Sequence, residues 1–351
     1  MTAHRPFLRR IFFRCAAALM AGILTIVAVE ASLHATNLGS PAEGFDVLQS
    51  WEPNDIFEAD ANAALGYHLR ADYSGEQLYR NKLDGSVVHR AAAHTTPEGL
   101  RAESKRSGGK VLLAVGDSTT FGVGVADGES WPAALERRLP AARRVENAGV
   151  PGRNLAQNVE WIRTKAKPLA PSIVLLAFYL NDLLPAIPVS GTSKDMTLSA
   201  PTWTQREAGA RRWSRLLNLV CRVIDNRRAL SAAAGPAGTY MDEINRGART
   251  EDLYREFEHF RKSASAMGAK PVIVILPVLD VADPRAADPM LGAAEKTARS
   301  LSLPVINAKH ALDDMNIADR VVLPAERHAS AAGNEAIAHE VFRQGAALGL
   351  W

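Results

Sequence analysis

The sequence predicts an α/β protein: a three-layer α/β/α sandwich around a parallel sheet, preceded by a transmembrane or signal helix. Three observations carry this. First, strand-like apolar runs recur at Val111–Val115, Arg144–Ala148, Ile173–Phe178, Pro271–Leu276 and Pro304–Asn307. Second, helix-period patterns separate them, at about Trp131–Leu139, Leu155–Lys167, Thr250–Met267, Leu291–Leu301 and Ala331–Phe342. Apolar strands alternating with helices are what a parallel sheet covered on both faces requires. Third, the chain opens on a basic and then an uncharged apolar stretch.

That opening comes first in order. Arg5, Arg9, Arg10 and Arg14 precede Cys15–Val29, fifteen residues without a charge. Ile11–Phe13 extend the apolar stretch to nineteen residues, with Arg14 near one end where its stem can snorkel to lipid headgroups. This is the pattern of a signal peptide or an uncleaved signal anchor. Arginines ahead of the span predict a cytoplasmic N-terminus and an exported body. The expected location is the inner membrane, single-pass, with the body in the periplasm. Cleavage at Val29-Glu30-Ala31 gives the alternative, a soluble periplasmic or secreted body. Residues 1–31 are accordingly set apart as the targeting element.

The rest of the 351 residues is ordinary for a globular protein, with 47% apolar and 23% charged residues. The net charge of +3 lies in the four N-terminal arginines, which leaves residues 15–351 one charge negative. A body-wide nucleic-acid footprint is therefore not expected. Two cysteines, Cys15 and Cys221, make no disulfide framework, and no Cys/His spacing resembles a zinc site. No metal or organic cofactor is expected, and the sequence leaves the oligomeric state open.

Residues 32–108 show no clear period and are read as an irregular N-terminal extension packed on the main domain, which spans 109–351. Within that domain, residues 183–247 interrupt the alternation for 65 positions. A connection of that length is an insertion with structure of its own. Its clearest element is a helix over Arg211–Leu230, with Trp213, Leu216, Leu217, Val220, Cys221 and Ile224 at helical spacing. Two readings stand for that stripe: a cap helix packed on the domain, or a surface that meets a membrane or an anionic polymer.

The chemistry starts at Gly116-Asp117-Ser118, where the first strand stops. In open α/β sheets ligands bind at the carboxyl ends of strands, so Ser118 is the candidate nucleophile. A serine needs a base within hydrogen-bond reach and donors for the developing oxyanion. The second strand runs into Asn147-Ala-Gly149-Val-Pro-Gly152-Arg-Asn154, where glycine lets backbone approach a ligand closely. The third runs into Phe178-Tyr-Leu-Asn181-Asp182, and an Asn there can donate its amide. Near the C-terminus, Glu326-Arg-His328-Ala-Ser330 precedes a helix that Ser330 can cap. A histidine beside a helix start favours the neutral form a base needs. Taken singly, each segment fits a turn or a surface residue equally well.

Taken together they resemble the SGNH (GDSL-type) hydrolase family over roughly residues 109–345, and the segment His94–Glu103 with the N-terminal anchor resembles its exported, membrane-anchored bacterial members. The resemblance implies a flavodoxin-like sandwich and a serine esterase. It makes Ser118 the nucleophile and His328 the general base, with the Ser118 N–H, Gly152 and Asn181 as the oxyanion hole. Two departures stand out. The family's Gly two residues before the Asn is Tyr179 here, and its Asp three residues before the His is Ala325. Polysaccharide-acetylating relatives place an acid two residues before, which falls on Glu326. If Glu326 does not fill that role, a backbone carbonyl holds the imidazole or the enzyme is weakened. Asp117 and Asp182 are read as structural. The implied substrate is an ester, best an O-acetyl group on a cell-envelope or secreted glycan, with small esters still open. The alternatives are an O-acyltransferase on glycans and a non-catalytic glycan-binding or assembly protein of the same fold.

Overall fold

The structure is a computed structural model that describes residues 5–36, 47–81, 85–184, 211, 213–221, 223–224, 250–279, 287–324 and 326–351. Helix α1 spans Arg5–Ala35 and is long and apolar enough to cross a membrane or to be a signal sequence. Leu19, Met20, Ile23, Leu24, Ile26 and Val27 are all exposed along it, so it is not a core helix of the domain.

Five parallel strands make the central sheet: β6 (Lys110–Gly116), β7 (Arg143–Gly149), β8 (Pro171–Phe178), β9 (Lys270–Ile275) and β10 (Val305–Asn307). Their order is β10-β9-β8-β6-β7. The chain leaves β6 for β7 on one side and returns to β8 on the other, which is the flavodoxin-like order, and its switch point lies beside β6. The near-continuous burial of Val111–Gly116 and Ile173–Phe178 explains their apolar runs: helices cover both faces. On one face α3 (Trp131–Arg138) packs against α8 (Ala331–Ala347). On the other, α5 (Thr250–Ala266) packs against α4 (Leu155–Lys165) and α6 (Asp288–Ser300).

The helix starts follow their local chemistry. Ser130 accepts the Ala133 N–H ahead of α3, Asn154 and Gln157 form a reciprocal capping box on α4, and Ser330 accepts the Gly333 N–H on α8. Each satisfies N–H groups that a helix start leaves without partners. The short helix α2 (Ser118–Phe121) follows β6, and the hairpin β11 (Val321–Leu323) and β12 (Glu326–Ala329) follows the helical turn α7 (Ile317–Arg320).

Residues 32–108 differ from the irregular extension expected. They carry β1 (Val47–Glu52), β4 (Ser74–Asn81) and β5 (Val87–His94) in an antiparallel sheet, and β2 (Phe57–Ala59) and β3 (Tyr67–Leu69) in a hairpin. Two of these strands are three residues long, too short to show alternation. The inward side of β5 is filled by the small side chains of Ala91 and Ala93, which carry a weak hydrophobic signal. The hairpin packs Ile56, Phe57, Tyr67 and Leu69 with Phe121 and Val150 in a second small core, directly behind the loops that follow β6 and β7.

Most of the proposed insertion lies outside the described residues. Residues 215–221 and 223–224 are helical, as the apolar spacing predicts. Of the stripe, Leu216 and Cys221 are half-buried and the rest stands outward. Trp213, Leu217, Val220 and Ile224 are exposed, and the fully buried side chain of the segment is Asn218.

Candidate active site

Ser118 begins α2 at the carboxyl end of β6. Asp117 caps that turn, its Oδ1 accepting the Thr119 N–H at 2.9 Å. Gly149, the last residue of β7, lies against α2 so closely that a Cβ there would sit 2.3 Å from the Phe121 nitrogen. A glycine is therefore required at the end of β7 for the turn carrying Ser118 to keep its place. The loop beyond it is tied back to β6 by the Val150 N–H, which donates to the Gly116 carbonyl at 3.0 Å. Gly152 then adopts φ +82°, in the left-handed region.

His328 comes from β12, 210 positions further on, and its Nε2 lies 2.8 Å from Ser118 Oγ. The other ring nitrogen, Nδ1, is in contact with Glu326 Oε1. The glutamate side chain is 15% exposed and the imidazole 28%, so the acid is the more sheltered of the two. A carboxylate on one ring nitrogen with a hydroxyl on the other fixes the tautomer whose free lone pair faces the hydroxyl. Asn181 stands in the 3-10 turn Leu180–Leu183 after β8, its Oδ1 buried with no hydrogen-bond partner among the described residues. That turn is linked to the loop after β7 by the Asn154 amide, which donates to the Leu184 carbonyl at 2.9 Å.

All the residues singled out by sequence thus sit at one end of the molecule. Ser118, Gly152, Asn181, Glu326 and His328 are each partly exposed. Their neighbours Asp117, Arg153, Leu180 and Asp182 are buried. The departure at Tyr179 has a structural explanation: its hydroxyl accepts the Leu279 N–H at 3.2 Å, which joins the loops after β8 and β9.

Asp182 accepts the Tyr179 N–H at 2.8 Å through Oδ2. Its burial, and secondly the nearby Asp117 carboxylate, hold its carboxyl well above the ordinary value of 3.8, while the Tyr179 bond opposes this. The folded state therefore keeps a proton that the unfolded chain releases above about pH 4, so this group's stabilisation is present at lower pH and is lost as pH rises. Asp182→Asn keeps an acceptor for Tyr179 and cannot ionise. Melting curves of both proteins should show the variant's advantage growing as pH rises above about 4. A difference independent of pH would contradict the assignment.

Three buried residues that the sequence reading left without roles complete the surroundings. Arg101 donates to the Phe121, Gly122 and Val125 carbonyls, all in or just beyond the helix that Ser118 starts. Glu103 lies 3.3 Å from the Arg101 guanidinium and accepts from Ser130 Oγ and Asn147 Nδ2. Arg153 donates to the Tyr67 carbonyl, and the Tyr67 hydroxyl donates to the Pro151 carbonyl, which fastens the β2–β3 hairpin to the loop holding Gly152. The only signal for the first two was the segment His94–Glu103, which contains both.

Residues 114–336 match the profile of the GDSL-like lipase/acylhydrolase family. Among solved structures the chain is similar to one described as TesA, at 15% identity and TM-score 0.43, over 68% of this chain and 99% of that one. It is also similar to a lipase/acylhydrolase from Enterococcus faecalis, at 15% identity and TM-score 0.40, over 68% and 96%. A third is the psychrotrophic esterase EstA from Pseudoalteromonas sp., at 12% identity and TM-score 0.43, over 68% and 98%. No curated protein sequence matches the chain.

Proposed function

The chain belongs to the GDSL-like lipase/acylhydrolase family, and from that premise we propose that it is a membrane-anchored serine esterase removing O-acetyl groups from cell-envelope or secreted glycans. The observation that carries the reading is the 2.8 Å contact between Ser118 Oγ and His328 Nε2, with Glu326 on the far ring nitrogen.

The chemistry follows from that arrangement. Ser118 Oγ attacks the ester carbonyl while His328 Nε2 takes its proton. The Ser118 and Gly152 N–H groups and the Asn181 amide stabilise the oxyanion; one such donor contributes about 10²–10³ in rate. Glu326 holds the imidazole in its working tautomer and stabilises the imidazolium. Collapse expels the alcohol, which takes the proton from His328 and leaves an acyl-serine. Water attacks next, with His328 again as base, and releases the acid and the free Ser118.

Support for an extracytoplasmic glycan ester as substrate comes from α1. Its arginines precede the apolar span, which favours retention of the N-terminus in the cytoplasm and export of the domain to the periplasm. The test is acetate release by the detergent-solubilised full chain from an O-acetylated glycan and from p-nitrophenyl acetate, with mass spectrometry after fluorophosphonate treatment. Release from both substrates, with the adduct on Ser118, is expected. Release from the small ester alone would refute the glycan assignment. An adduct elsewhere would refute the nucleophile. Product seen only with an acceptor sugar would replace hydrolysis by acyl transfer.

A further inference from the structure

Outside α1, the described residues expose ten large apolar side chains, and six of them fall within twelve positions: Trp213, Leu217, Leu219, Val220, Val223 and Ile224. The other four, Leu48, Leu184, Tyr254 and Leu348, are scattered along the chain. Trp213 is 79% exposed. Scattered apolar residues are normal on a protein surface, whereas a contiguous patch marks an interaction site.

What covers this patch follows from where it is fastened. Glu30 is the first charged residue after the uncharged stretch Cys15–Val29 of α1. Its carboxylate accepts the Arg215 and Leu216 N–H groups at 2.6 and 3.1 Å and the Ser214 hydroxyl at 3.0 Å. It thereby caps the helix that begins at 215. In return Arg215 donates to the Leu33 carbonyl at 3.0 Å and the His34 carbonyl at 3.3 Å, in the last turn of α1. The two helix ends satisfy each other's unpaired backbone groups. The nineteen-residue stretch beginning at Ile11 is about 28 Å long at 1.5 Å per residue, close to the thickness of a bilayer's hydrocarbon core. Glu30 then stands at the far headgroup level, and the 213–224 segment is pinned at that depth. A helix there with apolar side chains outward and a tryptophan at its start has the composition of an interfacial element.

We propose that residues 213–224 lie in the outer leaflet of the membrane that α1 crosses, as a second contact that fixes the domain's orientation on the lipid surface. This rests on the reading of α1 as an uncleaved anchor. The Glu30 contacts favour that reading, because cleavage at Val29–Ala31 would remove the cap.

The test uses the full chain in phosphatidylcholine nanodiscs, with and without acyl-chain bromine, beside Trp213→Phe, which alters one exposed side chain. The emission that Trp213 contributes should be quenched by lipid bromine and protected from aqueous acrylamide. Glu30→Ala should shift that component towards acrylamide while the chain still floats with lipid. Trp213 open to acrylamide in a chain that floats with lipid overturns the docking and spares the anchor. Trp213 shielded from both quenchers means that a second protein copy covers the patch, which also overturns it. A chain that fails to float with lipid overturns the anchor reading itself.

Discussion

Replacing His328 with alanine is expected to lower kcat for an activated ester by about three to six orders of magnitude, with KM and the melting temperature little changed. The imidazole is partly exposed at the molecular surface, so its removal leaves no sealed cavity. What it removes is the imidazole that stands 2.8 Å from Ser118 Oγ, against 3.5 Å for the Asp117 carboxylate. An uncharged serine hydroxyl without that base is a weak nucleophile at neutral pH. Ser118→Ala is expected to reach the same floor, and the double variant Ser118→Ala/His328→Ala to fall no further, because the two act as one unit. Glu326→Gln should lose less, about 10⁴-fold or under, since it spoils the tautomer and the imidazolium while leaving the base in place. Steady-state rates on p-nitrophenyl acetate check all four. A His328→Ala protein within tenfold of the parent would remove the histidine from the mechanism.

How far the sequence reveals this depends on the kind of signal each part carries. The sheet was legible because its strands are buried on both sides, which demands the uninterrupted apolar runs at Val111–Val115 and Ile173–Phe178. The residues about Ser118 were legible because each stands at the end of such a strand or at a helix start, where residue type is constrained. The proximity of Ser118 and His328, separated by 210 positions, came only from the family resemblance; no local pattern encodes it. The antiparallel sheets of residues 47–94 stayed hidden, since three-residue strands and alanine-filled faces give no periodicity. The apolar spacing within Arg211–Leu230 matches helix at the described residues 215–221 and 223–224, but it did not give the environment. Amphipathic spacing says that one face seeks an apolar phase, without saying whether that phase is protein or lipid.

The second large effect concerns Arg101, whose side chain is fully buried. Arg101→Ala is expected to destabilise the folded chain by about 3–5 kcal/mol, the usual result of removing one partner from a buried ion pair. The guanidinium donates to Gly122 at 2.7 Å and Val125 at 2.5 Å and also to Phe121, and it stacks over the Phe121 ring at 4.5 Å. Alanine leaves three carbonyls without this donor and the Glu103 carboxylate without its nearest cation. Those carbonyls lie at and just beyond the far end of the turn that Ser118 begins, and Gln77 and His89 hold Gly124, between Gly122 and Val125, by its N–H and its carbonyl. The antiparallel extension and the 94–103 strap thus brace the peptide segment that carries the proposed nucleophile. Arg101→Ala should therefore lower kcat more than it raises KM at temperatures where the protein remains folded. Arg101→Met/Glu103→Gln removes both charges and keeps the volume, so it should recover much of the stability but not the bracing of the carbonyls. Urea unfolding gives the first comparison and steady-state kinetics the second. A loss under about 1 kcal/mol for Arg101→Ala would mean that water replaces the guanidinium at these carbonyls and that the brace is not structural. Recovered stability with kcat still low would instead separate the two roles, because a purely structural arginine would return both together.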